Sequence, residues 1–125
     1  MTQTILIAAT DPNILYLLQR YAEASGFRVV RCSHEKDLLH QTKQVNPVLI
    51  VLEVEHPEAT WRESLQRLKA DPCTKNIPVM AYSYYDDVVS SPDDDIAHFL
   101  QKSVLYTDFV SALEKAGIHP VDMAE

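Results

Sequence analysis

Residues 48–54, Val-Leu-Ile-Val-Leu-Glu-Val, are the most apolar run in the chain. An unbroken apolar segment of this length reads as a strand buried on both faces. Pro47 stands at its entrance, and Glu53 interrupts it only near the far end. The run is therefore the expected central strand of a parallel sheet, with a carboxylate at its carboxyl end.

Outward from this run, strand and helix patterns alternate. Upstream, TILIAA (4–9) is a second buried strand. Asp11-Pro12 then starts a helix, Asp as N-cap and Pro in the first turn. Ile14, Leu15, Leu18, Tyr21 and Ala22 give that helix its stripe, and Gly26 ends it. FRVVRC (27–32) is a strand nearer an edge, because Arg28 and Arg31 interrupt it. Ser33 is the expected cap of a second helix running through Val45, with Leu38, Leu39 and Val45 inward. Downstream, a third helix over about 58–70 buries Trp61, Leu65 and Leu68 at helical spacing. IPVMAYS (77–83) and AHFLQK (97–102) are the fourth and fifth strands. A last helix over about 105–116 buries Phe109, Val110 and Leu113. Between the last two strands lies YYDDVVSSPDDD (84–95), which supports at most a short or irregular fourth helix.

Repeated βα units imply a parallel sheet with helices on both faces. Right-handed crossovers leave the flavodoxin-like order 2-1-3-4-5, a three-layer α/β/α sandwich, as the expected fold. One domain is expected over 1–119, with a short tail at 120–125. In this fold the site lies at the carboxyl ends of strands one and three. Ala9, Thr10 and Glu53 fall there.

Composition removes several function classes. The 125 residues carry a formal net charge of -7, so nucleic acid and anionic membrane are not expected partners. No apolar run approaches the ~20 residues that span a bilayer. MTQTILIAATD has no basic leader region, so no signal peptide is read. Cys32 and Cys73 lie far apart and read as free thiols in a reducing cytoplasm. The two glycines, Gly26 and Gly117, both follow helical patterns, where left-handed caps are expected. None remains for a phosphate-cradling loop, which excludes dinucleotide and P-loop sites. His34, His40, His56, His98 and His119 show no metal-ligand spacing. No Ser-His-Asp or Cys-His arrangement can be placed at the strand ends, so no enzyme is expected.

The ordered set ILIAATDP, NPVLIVLEVEHP, LQRLKADPCTKNIPVMAYS and FLQKSV resembles the receiver domain of two-component response regulators, over nearly the whole chain. The resemblance implies a phosphorelay signalling module with a magnesium-dependent phosphoacceptor pocket. By position, the acidic pair falls on Ala9 and Thr10 and the phosphoacceptor Asp on Glu53. The pocket hydroxyl falls on Ser83, the pocket lysine on Lys102 and the switch aromatic on Phe99. The departures are as informative as the matches. Ala9 has no oxygen to offer and Thr10 only a neutral hydroxyl, whereas magnesium is held by carboxylates. Ser103 replaces the proline that usually follows the lysine, and Trp61 the glycine that usually opens helix three. The span from Ser83 to Lys102 is about one helical turn short.

The expectation is thus a degenerate receiver, or pseudo-receiver, without a magnesium site and without Asp phosphorylation. It would act by protein–protein interaction with a histidine kinase, another regulator or a fused output domain. Glu53 has two open readings: a fixed negative charge that mimics a phosphorylated state, or an inert carboxylate neutralised by Lys102. Tyr82, Tyr84 and Tyr85 are the candidate interface aromatics, with a turn cluster packed on the sheet edge as the other reading. Two rival functions remain open. One is an unconventional receiver phosphorylated on Glu53 or Asp11. The other is a sensor of small anions held by Ser83, Lys102 and Thr10 near helix N-termini.

Overall fold

A computed structural model of the protein describes residues 3–9, 11–32, 37–54, 60–83, 98–101 and 105–118. The described strands are β1 (Thr4–Ala8), β2 (Arg28–Cys32), β3 (Leu49–Val54), β4 (Val79–Ser83) and β5 (His98–Gln101). The described helices are α1 (Pro12–Ala24), α2 (Leu38–Val45), α3 (Thr60–Ala70) and α4 (Tyr106–Lys115). The strands form one sheet in the order β2-β1-β3-β4-β5. Every described pairing is parallel. β3 is central, and the Arg-bearing β2 lies at one edge, with Arg28 and Arg31 exposed.

The period-two alternation of the strands divides the core into two clusters. Ile5, Ile7 and Ala9 of the first strand segment, Leu49 and Val51 of β3, and Met80 and Tyr82 of β4 pack on one face. There they meet Ile14, Leu18 and Ala22 of α1 and Phe109, Ala112 and Leu113 of α4. On the other face Leu6, Ala8, Ile50, Leu52, Val79 and Ala81 meet Leu38 of α2 and Leu65 and Leu68 of α3. Strands buried on both sides explain why β1 and β3 are written as continuous apolar runs.

The helix ends follow from local chemistry. Asp11 Oδ1 accepts the Asn13 amide at 2.9 Å, with Pro12 in the first turn of α1. Gly26 and Gly117 take φ of 90° and 81°. Behind α1, the Phe27 amide reaches Ala22 O at 3.1 Å and the Gly26 amide reaches Glu23 O at 3.0 Å. Behind α4, Ile118 and Gly117 repeat the pattern onto Leu113 O and Glu114 O at 2.9 and 3.0 Å. These paired bonds are the Schellman arrangement, which satisfies the last carbonyls. α2 ends differently, on Asn46 with φ of 52°. The left-handed asparagine follows the helical pattern where no glycine is available.

α2 is described from Leu38, and Ser33, its expected cap, lies outside the described residues. Val45 and Val110 are only partly buried, at the margins of the stripes that contain them. The segment expected to hold a short or irregular helix, 84–95, also lies outside the described residues. Buried hydroxyls find backbone acceptors: Ser25 Oγ donates to Tyr21 O at 2.9 Å and Thr42 Oγ1 to Leu38 O at 2.6 Å. Among the described residues no buried polar side-chain atom lacks a partner.

Candidate functional site

The carboxyl ends of β1, β3 and β4 lie side by side, because all three strands run in one direction. β1 pairs Ala8 with Leu52, so the next residue, Ala9, comes level with Glu53. β3 in turn pairs Glu53 with Tyr82 and Val54 with Ser83. The sheet therefore assembles Ala9, Glu53 and Ser83, which are far apart in sequence, at one end. Phe99 stands one strand further out, paired with Ala81. Its side chain and that of Ser83 lie outside the described part. Thr10 and Lys102 lie outside the described residues altogether, as do Tyr84 and Tyr85.

Ala9 is 5 % exposed and packs in the cluster beneath α1 and α4. A methyl group thus occupies one position where the resemblance expects an acid. Glu53 is half-buried at the end of β3. Asp11, the alternative acceptor, uses one carboxylate oxygen to cap α1. Among the described residues no group of three His, Cys, Asp or Glu could hold a metal ion. The described donors at this sheet end do not fit a magnesium ion, which takes oxygen ligands in a near-octahedral set.

Tyr82 requires a correction. It was expected as an interface aromatic beside Tyr84 and Tyr85, but it is 2 % exposed and belongs to the core. The cause is strand parity: Met80 and Tyr82 point to the same buried face. The alternation in VMAYS carries this signal, since a residue two along from a core methionine shares its face.

A second feature had no sequence signal. Tyr21 of α1 meets the ring of Tyr106 edge-on at 5.6 Å and that of Phe109 at 5.9 Å. Tyr106 Oη lies 3.3 Å from Ser25 Oγ. This cluster fastens the start of α4 to the end of α1, far along the chain from each other. The exposed apolar side chains Tyr16, Leu105 and Tyr106 also lie on these two helices or immediately before α4.

An ion pair joins α2 to the turn after α3. Lys43 Nζ bonds Asp71 Oδ2 at 3.1 Å. The Cys73 amide donates to Asp71 Oδ1 at 2.8 Å. That amide first, and Lys43 second, hold the Asp71 carboxyl below its usual range. Lys43 is raised in turn by its bond to Asp71. Cys32 is buried and Cys73 exposed, and neither forms a disulfide among the described residues. No described helix is long and apolar enough to cross a membrane.

No protein-family model matches the chain. The chemotaxis protein CheV1 of Helicobacter pylori is 28 % identical over 114 residues, covering 87 % of this chain. The chain spans 33 % of that relative's length. The polar-differentiation response regulator DivK of Brucella ovis is 27 % identical over 85 residues, 68 % of this chain and 69 % of DivK. Among solved structures, a CheY-like response regulator receiver domain from Methylobacillus flagellatus superposes with a TM-score of 0.79. It covers 93 % of this chain and 99 % of its own at 17 % identity, a likeness that speaks to the fold alone. Along most of its length the chain is thus similar in sequence to CheV1 and to the response regulator DivK, and its parallel sheet has the fold of CheY-like receiver domains.

Proposed function

We propose that this chain is a pseudo-receiver: a cytoplasmic signalling module of two-component pathways that passes information by docking a protein partner, without phosphorylation of an aspartate. The observation that carries the reading is the row at the sheet end, where Glu53 stands level with the buried methyl of Ala9. Phosphoryl transfer to a carboxylate depends on positioning and charge neutralisation, much of it supplied by a divalent ion. A methyl at the first acidic position and a Glu at the acceptor position remove both the ion's ligand and the acceptor's usual reach. The partner is a histidine kinase, another regulator or a fused output domain, and the module itself carries no catalytic step.

The test is a magnesium titration followed by fluorescence of Trp61, the single tryptophan, with and without beryllofluoride. Trp61 lies in the first turn of α3, directly after the segment that leaves β3. A flat response beside a responsive conventional receiver is expected. A saturable response at low millimolar magnesium, strengthened by beryllofluoride, overturns the reading. Incubation with a small phosphodonor adds an independent readout, with no mass gain on Glu53 or Asp11 expected.

A further inference from the structure

The neighbours of Glu53 differ sharply in size. Ala9 comes level with it on the β1 side, and Tyr82 is its register partner on the β4 side. Tyr82 is paired on its other side with Leu100. Alternation along β3 puts Glu53 on the same sheet face as Leu49 and Val51, the face that holds Ala9, Tyr82 and Leu100. The row across the sheet end is therefore alanine, glutamate, tyrosine and leucine, and its aromatic member is among the largest fully buried side chains of the protein.

A hydrated magnesium ion keeps several of its waters when it binds, so it needs open polar volume beside its carboxylates. A buried tyrosine offers the reverse. Tyr82 is 2 % exposed and belongs to the same buried cluster as Met80, Leu100 and Phe109, so moving its ring would expose apolar surface to water.

From this row we infer that Tyr82 is a specificity-determining residue: its ring closes the sheet end beside residue 53 against a hydrated divalent cation, in addition to the loss of acidic ligands. The inference rests on the pseudo-receiver reading above and deepens it. The site is closed twice, once by the ligands it lacks and once by the volume it has filled. Restoring the acids alone does not reopen it.

The experiment rebuilds the acidic set with Ala9→Asp, Thr10→Asp and Glu53→Asp in the full chain, once with Tyr82 kept and once with Tyr82→Val added. Magnesium chloride alone is titrated by calorimetry, and circular dichroism checks that each variant is folded. The triple variant with Tyr82 is expected to give no saturable heat. Adding Tyr82→Val is expected to bring saturable binding, at least about tenfold tighter than the triple variant. Equal binding by both variants overturns the inference, and so does silence from a folded Tyr82→Val variant. Tyr82→Leu serves as a second opening substitution that keeps more core volume. Should both openings unfold the chain, the triple variant decides: binding with the ring in place overturns the inference, and silence supports it. Binding by the unaltered chain overturns the pseudo-receiver reading instead, so the two failures are distinguishable.

Discussion

Replacing Gly117 by alanine should cost about 1 kcal/mol of stability, by backbone strain alone. Gly117 follows α4 with φ of 81°, in the region that side-chain-bearing L residues avoid. An L residue in the left-handed region costs about 1–2 kcal/mol. Exchanging Gly for Ala also restricts the unfolded chain, which contributes about 0.4–1 kcal/mol in the opposite direction. A steric term is absent, because a Cβ built at this position meets nothing within 4 Å. The Schellman bonds from Gly117 and Ile118 remain possible, since both use backbone amides. Urea unfolding followed by circular dichroism should therefore show a midpoint lower by about 0.3–1 M with an unchanged slope. The melting temperature should fall by about 3–5 °C. Gly117→Asn should cost less than Gly117→Ala, because asparagine visits this region more readily. A loss well above about 2 kcal/mol would mean that the added methyl meets a clash. A gain in stability would mean that the backbone here is not left-handed, and either result refutes the reasoning.

Two further outcomes follow from named contacts. Asp11→Ala removes the N-cap of α1 and should cost about 1 kcal/mol, with Asp11→Ser recovering most of it, both read by urea unfolding; equal losses from the two substitutions would sink the capping role. Asp71 is held below the usual carboxylate range first by the Cys73 amide and then by Lys43. Lys43→Met should therefore raise the Asp71 pKa only part of the way, as followed by carboxyl NMR. A depressed folded-state pKa contributes stability that is present above the unfolded value and lost as the pH falls through the folded one. The contribution should therefore fade only in acid and be weakened by salt, since both groups are solvent-facing. A complete return of Asp71 to its ordinary value in Lys43→Met would show that the amide contributes nothing.

The parts of this protein that depend on neighbours in the sequence were legible without coordinates. The apolar run 48–54 did become the central strand, and Arg28 and Arg31 did mark an edge. Asp11-Pro12 capped a helix, and both glycines ended one with positive φ. Each of these outcomes is set by period or by backbone sterics within a few residues. Asn46, by contrast, took a left-handed cap without being singled out, because asparagine marks such positions far less consistently than glycine.

Tyr82 shows where that reading stops. Its neighbours in sequence, Tyr84 and Tyr85, suggested a surface group, yet the parity of β4 turned its ring into the core. The meeting of Tyr21 with Tyr106 and the alignment of Ala9, Glu53 and Tyr82 across three strands depend on register and helix packing. The sequence by itself determined the strands, the caps at Asp11, Gly26 and Gly117, and the departures from an acidic site, because those rest on local backbone and side-chain chemistry. Only the tertiary structure decided which side chains stand beside Glu53, because parallel strands bring together residues that no local interaction connects.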